Sequence, residues 1–331
     1  MPASSPVIRV PLTHPPFHGQ ATGNSYNVTL QVSPSAPTPS PIHPCQVDTG
    51  SCGIVIPASL LYANGSVGGT LLPGVTRGVA APPIRYQPSN KEFQGWYYTV
   101  AELAIGASLD HPPAFIAQNI TVVGIDDPDP GVGMMGVGFG RPTQYGSNVF
   151  LSAPGINPSF LLTTDGIWLG YTAATLPNAA AFGFQQLTPT LTGDWNTPAA
   201  TITVTTPDAA LPAFPGNALL DTGVTLMMLG VTQPLTPALL TGSTIEIAWP
   251  NTDNTATILS YSFQVTGPAT DATMPGQYLV SGDSVMNPKC LIALGAKSPA
   301  FVNTGINVIR GADIFFDSAA GCIGFRPTGA T

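Results

Sequence analysis

The chain carries the tripeptide Asp-Thr-Gly twice, and each copy interrupts an apolar run. The first reads Cys45-Gln46-Val47-Asp48-Thr49-Gly50-Ser51-Cys52-Gly53-Ile54-Val55-Ile56, the second Ala218-Leu219-Leu220-Asp221-Thr222-Gly223-Val224-Thr225-Leu226-Met227-Met228-Leu229. Asp48 and Asp221 stand 173 residues apart in a chain of 331, about half its length. A single Asp-Thr-Gly is most simply a turn, because Asp and Gly both suit turn geometry. Two copies, each followed by an apolar run, are much less often accidental than one. In each, a strand breaks into a buried loop that bears a carboxylate and then resumes as a second strand. Two such loops facing each other would make a carboxylate pair.

The rest of the sequence suits that plan. Charged residues make up only 8% of the chain, Gly and Pro number 36 each, and Glu is confined to Glu92, Glu102 and Glu246. Such a mix favours short strands joined by many turns over long surface helices, so the expected class is all-β. Strand signals recur at Tyr26–Val32, Gln46–Val47, Gly53–Ile56, Trp96–Ile105, Ala114–Val123 and Gly166–Tyr171. They continue at Ala200–Thr205, Ala218–Leu220, Leu226–Leu229, Thr244–Trp249, Thr257–Val265, Gln277–Val280, Cys290–Leu294 and Ile314–Phe316. Helical signals are short: Pro57–Tyr62, Ala209–Ala213 and Pro237–Leu240. Ser33–Pro44 reads as an exposed hairpin loop. Thr172–Phe184 lacks alternation and marks the expected boundary between domains at 1–174 and 175–331.

Composition also excludes function classes. The net charge is −8 and the nine basic residues are scattered, so no basic patch is available for phosphates or an anionic membrane surface. No stretch reads as a spanning helix. Residues 1–25 carry no charged segment followed by an apolar run, so no signal peptide is expected within this sequence. The sequons at Asn27, Asn64 and Asn119 are as many as chance would give in so Ser- and Thr-rich a chain. Gly131-Val132-Gly133-Met134-Met135-Gly136 has dinucleotide-loop spacing but follows an Asp/Pro-rich stretch instead of a strand, with no helix to hold a pyrophosphate. The four histidines, His14, His18, His43 and His111, lack metal-ligand spacing, and no G-x-S-x-G elbow occurs. Cys52 as a nucleophile has no His placed by sequence to activate it. What remains is carboxylate chemistry without metal or cofactor. The four cysteines fall into two local pairs, Cys45 with Cys52 and Cys290 with Cys322. They read as buried thiols or as two disulfides, and the disulfide reading implies an oxidising compartment.

These residues resemble the pepsin-like family of aspartic peptidases over nearly the whole chain. Val47-Asp48-Thr49-Gly50-Ser51 and Leu220-Asp221-Thr222-Gly223 are similar to the two catalytic motifs, and Met134-Met135-Gly136 to the apolar-apolar-Gly element that completes the first. Ile84-Arg85-Tyr86 with Gln94-Gly95 resembles the flap hairpin, with Tyr86 at the flap tyrosine. Gly305-Ile306-Asn307 through Phe316-Asp317 to Gly321-Cys322-Ile323-Gly324-Phe325 resembles the family's C-terminal close.

The resemblance implies a bilobal fold and an acid-acting endopeptidase, secreted or at the cell surface, monomeric, with polypeptide substrates and sensitivity to pepstatin-like inhibitors. Asp48 and Asp221 would be catalytic, with Thr49, Gly50, Ser51, Tyr86, Thr222, Gly223 and Thr225 supporting them or lining the substrate. Cys290–Cys322 matches the family's C-terminal-lobe disulfide, and Cys45–Cys52 is expected from proximity within the first hairpin. The chain also departs from the family. Val224 replaces a Ser or Thr, as Ala does in retroviral aspartic proteases, and Val55 replaces a Trp. The flap turn Gln87-Pro88-Ser89-Asn90 lacks glycines, and Asn303-Thr304-Gly305 replaces the second apolar-apolar-Gly. The rival expectation is a pepsin-like binding or inhibitor protein that does not cut. Sugar hydrolysis by two carboxylates would need a cleft of stacking aromatics, and none of the four Trp lies near either aspartate in sequence.

Overall fold

A computed structural model describes residues 6–17, 25–86, 90–126, 133–269 and 276–329. The protein is nearly all β, as its short β-branched, turn-punctuated segments predict. It divides into two compact units. Among the described residues, the first takes in 6–17, 25–160 and 165–171, and the second 161–164 and 172–329.

The first unit runs β1 (Ile8–Val10), β2 (Asn27–Val32), β3 (His43–Asp48), β4 (Cys52–Pro57), β5 (Val75–Ala80), β6 (Ile84–Tyr86), β7 (Lys91–Phe93), β8 (Gly95–Ile105), β9 (Phe115–Ile125), β10 (Gly133–Val137), the start of β11 (Asn157–Thr163), whose residues from Leu161 on belong to the second unit, and β12 (Gly166–Gly170). Its main sheet has the order β2-β3-β10-β4-β9-β8-β5, and a β2–β8 pairing brings it back on itself. β10, from much later in the chain, lies between β3 and β4, parallel to β3 and antiparallel to β4. All six residues of β4 are buried. A strand covered on both faces and flanked on both edges needs a continuous apolar run, which Gly53–Ile56 largely supplies. Gly136 stands opposite Asp48 on one side and Gly53 on the other. A Cβ there would lie 2.6 Å from the Cys52 backbone nitrogen, so only glycine lets the strands close.

The second unit runs β13 (Gly183–Gln186), β14 (Ala199–Thr205), β15 (Phe214–Leu219), β16 (Met227–Gly230), the one-turn helix α1 (Pro237–Leu240), β17 (Thr244–Pro250), β18 (Thr257–Pro268), β19 (Gln277–Ser281), β20 (Cys290–Ala293), β21 (Ala300–Asn303), β22 (Ala312–Asp317) and β23 (Cys322–Pro327). Strands β14-β15-β21-β16-β20-β19-β18-β17 form a closed barrel. Alternation along β17 and β18 buries Ile245, Ile247, Trp249, Leu259, Tyr261, Phe263 and Val265 while the intervening residues face outward. β21 is threaded between β15 and β16, parallel to the first and antiparallel to the second. Both units therefore build the same motif: a loop joining two strands that a third, later strand separates.

Several expectations are corrected. Ala209–Ala213 is not helical; Ala210 bridges Thr205 and the Leu211 amide donates to the Val204 carbonyl, because Pro207 and Pro212 confine the run to a turn. The Pro57–Tyr62 signal becomes a 3-10 turn at Ala58–Leu61. No disulfide joins the cysteines. Cys45 stands opposite Gly133 and Cys52 opposite Val137, four positions apart along β10. That spacing is about 13 Å, beyond the roughly 7 Å that a disulfide spans between Cα atoms. Cys290 lies in the barrel, whereas Cys322 opens β23, between β22 and β13. Of the Gly131–Gly136 run, the described part is strand β10. Among the described residues, no helix is long and apolar enough to cross a membrane.

Candidate functional site

Each Asp-Thr-Gly loop holds its carboxylate in the same way. In the first unit, Gly50 N–H donates to Asp48 Oδ1 at 2.7 Å, and Ser51 Oγ donates to Asp48 Oδ2. In the second, Gly223 N–H donates to Asp221 Oδ1 at 2.9 Å, and Asn303 Nδ2 donates to Asp221 Oδ2 at 2.6 Å. Both aspartates are 7% exposed, and Thr49 and Thr222 beside them are 2% exposed. A carboxylate this far from water depends on such donors, and charge-assisted hydrogen bonds are the stronger kind. A carboxylate oxygen offers about two acceptor sites, so a carboxylate held in this way can also orient a water molecule or a polar substrate atom. Thr225 is exposed.

The strand between the two arms carries further supports. Asn148 Nδ2 donates to the Val137 carbonyl at 2.6 Å, while its Oδ1 accepts from Phe150 N–H at 3.0 Å. Gly138 N–H donates to the Ser51 carbonyl at 2.8 Å, which ties the end of β10 to the first loop. In the second unit, Ile306 N–H donates to the Val224 carbonyl at 2.9 Å. Asn307, wholly buried, donates to the Thr304 carbonyl at 2.8 Å and accepts from Arg310 Nη2 at 2.6 Å.

The expected flap is a hairpin, with Ile84 opposite Phe93 and Tyr86 opposite Lys91; Gln87, Pro88 and Ser89 lie outside the described residues. Tyr86 meets Phe93 edge-on at 5.4 Å between ring centres. It packs with Tyr97, Met134 and Tyr145 against a cluster of Val55, Ala81, Ile84, Phe93, Val123 and Ile125. An aromatic group thus surrounds the hairpin base where the expected Trp is Val55. Tyr145 Oη donates to the Pro83 carbonyl at 2.8 Å, just before the hairpin. Burial pushes the Tyr86 hydroxyl well above its ordinary value, and the Cys45 and Asp48 charges add to the effect. Tyr86 therefore stays protonated as a donor at any ordinary pH.

Sequence reasoning noted Asn303 only as a departure from the apolar-apolar-Gly pattern. The register shows its role: it stands opposite Leu219, two residues before Asp221, as Met134 stands opposite Gln46, two residues before Asp48. Nothing short of that pairing identifies it. Among the described residues, no group of three or more His, Cys, Asp or Glu side chains is arranged to hold a metal ion. No protein-family model and no curated protein sequence matches this chain.

Proposed function

We propose that this protein is an aspartic endopeptidase in which Asp48 and Asp221 act as one carboxylate pair on a bound water. The observation that carries the reading is the duplicated cradle. Two loops that share Asp-Thr-Gly, each closed by a later inserted strand, hold one nearly buried carboxylate by the equivalent Gly N–H and a side-chain donor. Two carboxylates sharing a site do not ionise together readily, so one keeps a proton. The ionised member takes a proton from water as it attacks the peptide carbonyl. The protonated member donates to the carbonyl oxygen, and a proton then passes to the leaving nitrogen. Tyr86, held as a donor, would close over substrate and limit water. Activity falls toward neutral pH as the pair loses its last proton. Apolar side chains flanking the scissile bond are the preferred substrates, in keeping with Ile54, Met227 and Met228 around the motifs. The working compartment on this reading is acidic and extracytoplasmic.

Incubating the purified protein with denatured protein and peptide libraries from about pH 3 to pH 7, with and without pepstatin, tests the reading. Cleavage at the acid end, blocked by pepstatin, supports it. No cleavage at any pH, with tight binding of a macromolecule instead, favours the binding-protein alternative.

A further inference from the structure

The two cradles differ at one oxygen. Asp48 Oδ2 receives its side-chain hydrogen bond from Ser51, three residues on in the same loop. The residue three beyond Asp221 is Val224, which has no donor, and Asp221 Oδ2 receives Asn303 Nδ2 from β21 at 2.6 Å. We propose that Asn303 is a positioning residue that replaces the missing hydroxyl and favours the ionised form of Asp221. Its consequence for catalysis rests on the peptidase reading; the hydrogen-bond role does not.

The exchange is reciprocal. Where the loop has a hydroxyl, the inserted strand has Met134; where the loop has Val224, the strand has Asn303 at the same register position. The amide cannot turn round without loss, because its Oδ1 accepts from Gly305 N–H at 2.9 Å, which leaves Nδ2 facing the carboxylate. Asn303 is 3% exposed, so water is poorly placed to substitute for it.

Donor chemistry then separates the two aspartates. A hydroxyl both donates and accepts, so Ser51 serves Asp48 whether that group is ionised or protonated. An amide NH2 only donates, so it favours the ionised Asp221 and cannot accept a proton carried on Oδ2. Gly50 and Gly223 act alike on the Oδ1 atoms, and the exchange of Ser51 for Asn303 is a difference at Oδ2. β15 and β16 bear no ionisable side chain, and the 3-10 turn Gly305–Arg310 presents Arg310, whose guanidinium donates to Asn307 Oδ1 and the Val285 carbonyl. The further charge that the peptidase reading brings is Asp48.

The test is a side-chain carboxyl 13C NMR titration of the full chain, with the two resonances assigned from Asp48→Asn and Asp221→Asn. Asn303→Leu should move the Asp221 midpoint up by about one pH unit, a tenfold change, because the ionised form loses a donor. Adding Val224→Thr to Asn303→Leu should bring it back. If Asn303→Leu does not fold, Asn303→Asp keeps the shape and the Gly305 contact but donates only when protonated, and should also displace the Asp221 midpoint. An unmoved midpoint in a folded variant overturns the role. In cleavage assays, the acid limb of kcat/KM should follow the NMR midpoint with KM unchanged. An inactive wild type whose midpoint moves as described leaves the donor role standing and removes the peptidase reading. An active wild type with an unmoved midpoint removes the donor role alone.

Discussion

Gly136→Ala attacks the first cradle at its tightest point without touching a polar group. The new methyl would lie 2.6 Å from the Cys52 nitrogen and 2.7 Å from its Cα, against an ordinary contact of at least 3.4 Å. The obstacle is backbone on β4, held between β10 and β9, so no side chain can swing aside. β10 must separate from β4 by about 0.8 Å, which strains its pairing with both flanking strands. Overpacking a core costs about 1–3 kcal/mol, and a backbone clash belongs at the upper end. Ala also stiffens the unfolded chain, which returns about 0.5 kcal/mol. The net loss should be about 2.5 kcal/mol, a fall in Tm of about 5–10 °C for a unit of this size. Gly295→Ala, with open space around it and no left-handed φ, is the control and should stay within about 0.5 kcal/mol of wild type. Scanning calorimetry with chemical denaturation measures both. A Gly136→Ala loss below about 0.5 kcal/mol would refute the claim that β10 is clamped against the first loop.

Ser51→Ala removes the side-chain donor to Asp48 and should lower kcat by about 10-fold with little change in Tm, as expected for the loss of one hydrogen bond. Tyr145→Phe frees the Pro83 carbonyl at the hairpin base and should raise KM about threefold while leaving kcat nearly intact, which steady-state kinetics will show. All four cysteines should react with a thiol reagent in denaturant without reductant; in the native protein half-exposed Cys290 should react fastest and buried Cys45 slowest. Burial raises the native Cys45 and Cys290 thiols and takes Cys322 to about 11, so the unfolded chain loses these protons first. Stability present at neutral pH should therefore drain away as pH rises from about 9 toward 11, and denaturation midpoints across that range measure it.

The strands were legible because alternation along Thr244–Trp249 and Thr257–Val265, and the apolar run at Gly53–Ile56, are local signals that burial then obeys. β1, β5, β10, β11, β13, β21 and β23 carry no strand signal in the sequence: β1 is too short to show a period, and β5 is exposed along nearly its whole length. The aspartates and their Gly donors were legible because the spacing within Asp-Thr-Gly sets those bonds. Asn303 was not, because its partner is 82 residues away and the contact exists only through the register of β21 with β15. The cysteine pairs failed for the same reason. Closeness in sequence suggested a bridge, but the strand inserted between β3 and β4 holds Cys45 and Cys52 apart.

On the proposed function, Asp48 and Asp221 are two halves of one acid–base device. Its most direct test compares kcat/KM for cleavage of an apolar peptide at about pH 4 in wild type, Asp48→Asn, Asp221→Asn and the double variant. The Asn swap is nearly isosteric, so folds should be retained by circular dichroism. The account predicts that each single variant loses at least about 1000-fold and that the double variant is no worse than either, because groups that act as a unit fail together. Cleavage by either single variant within about tenfold of wild type would contradict it.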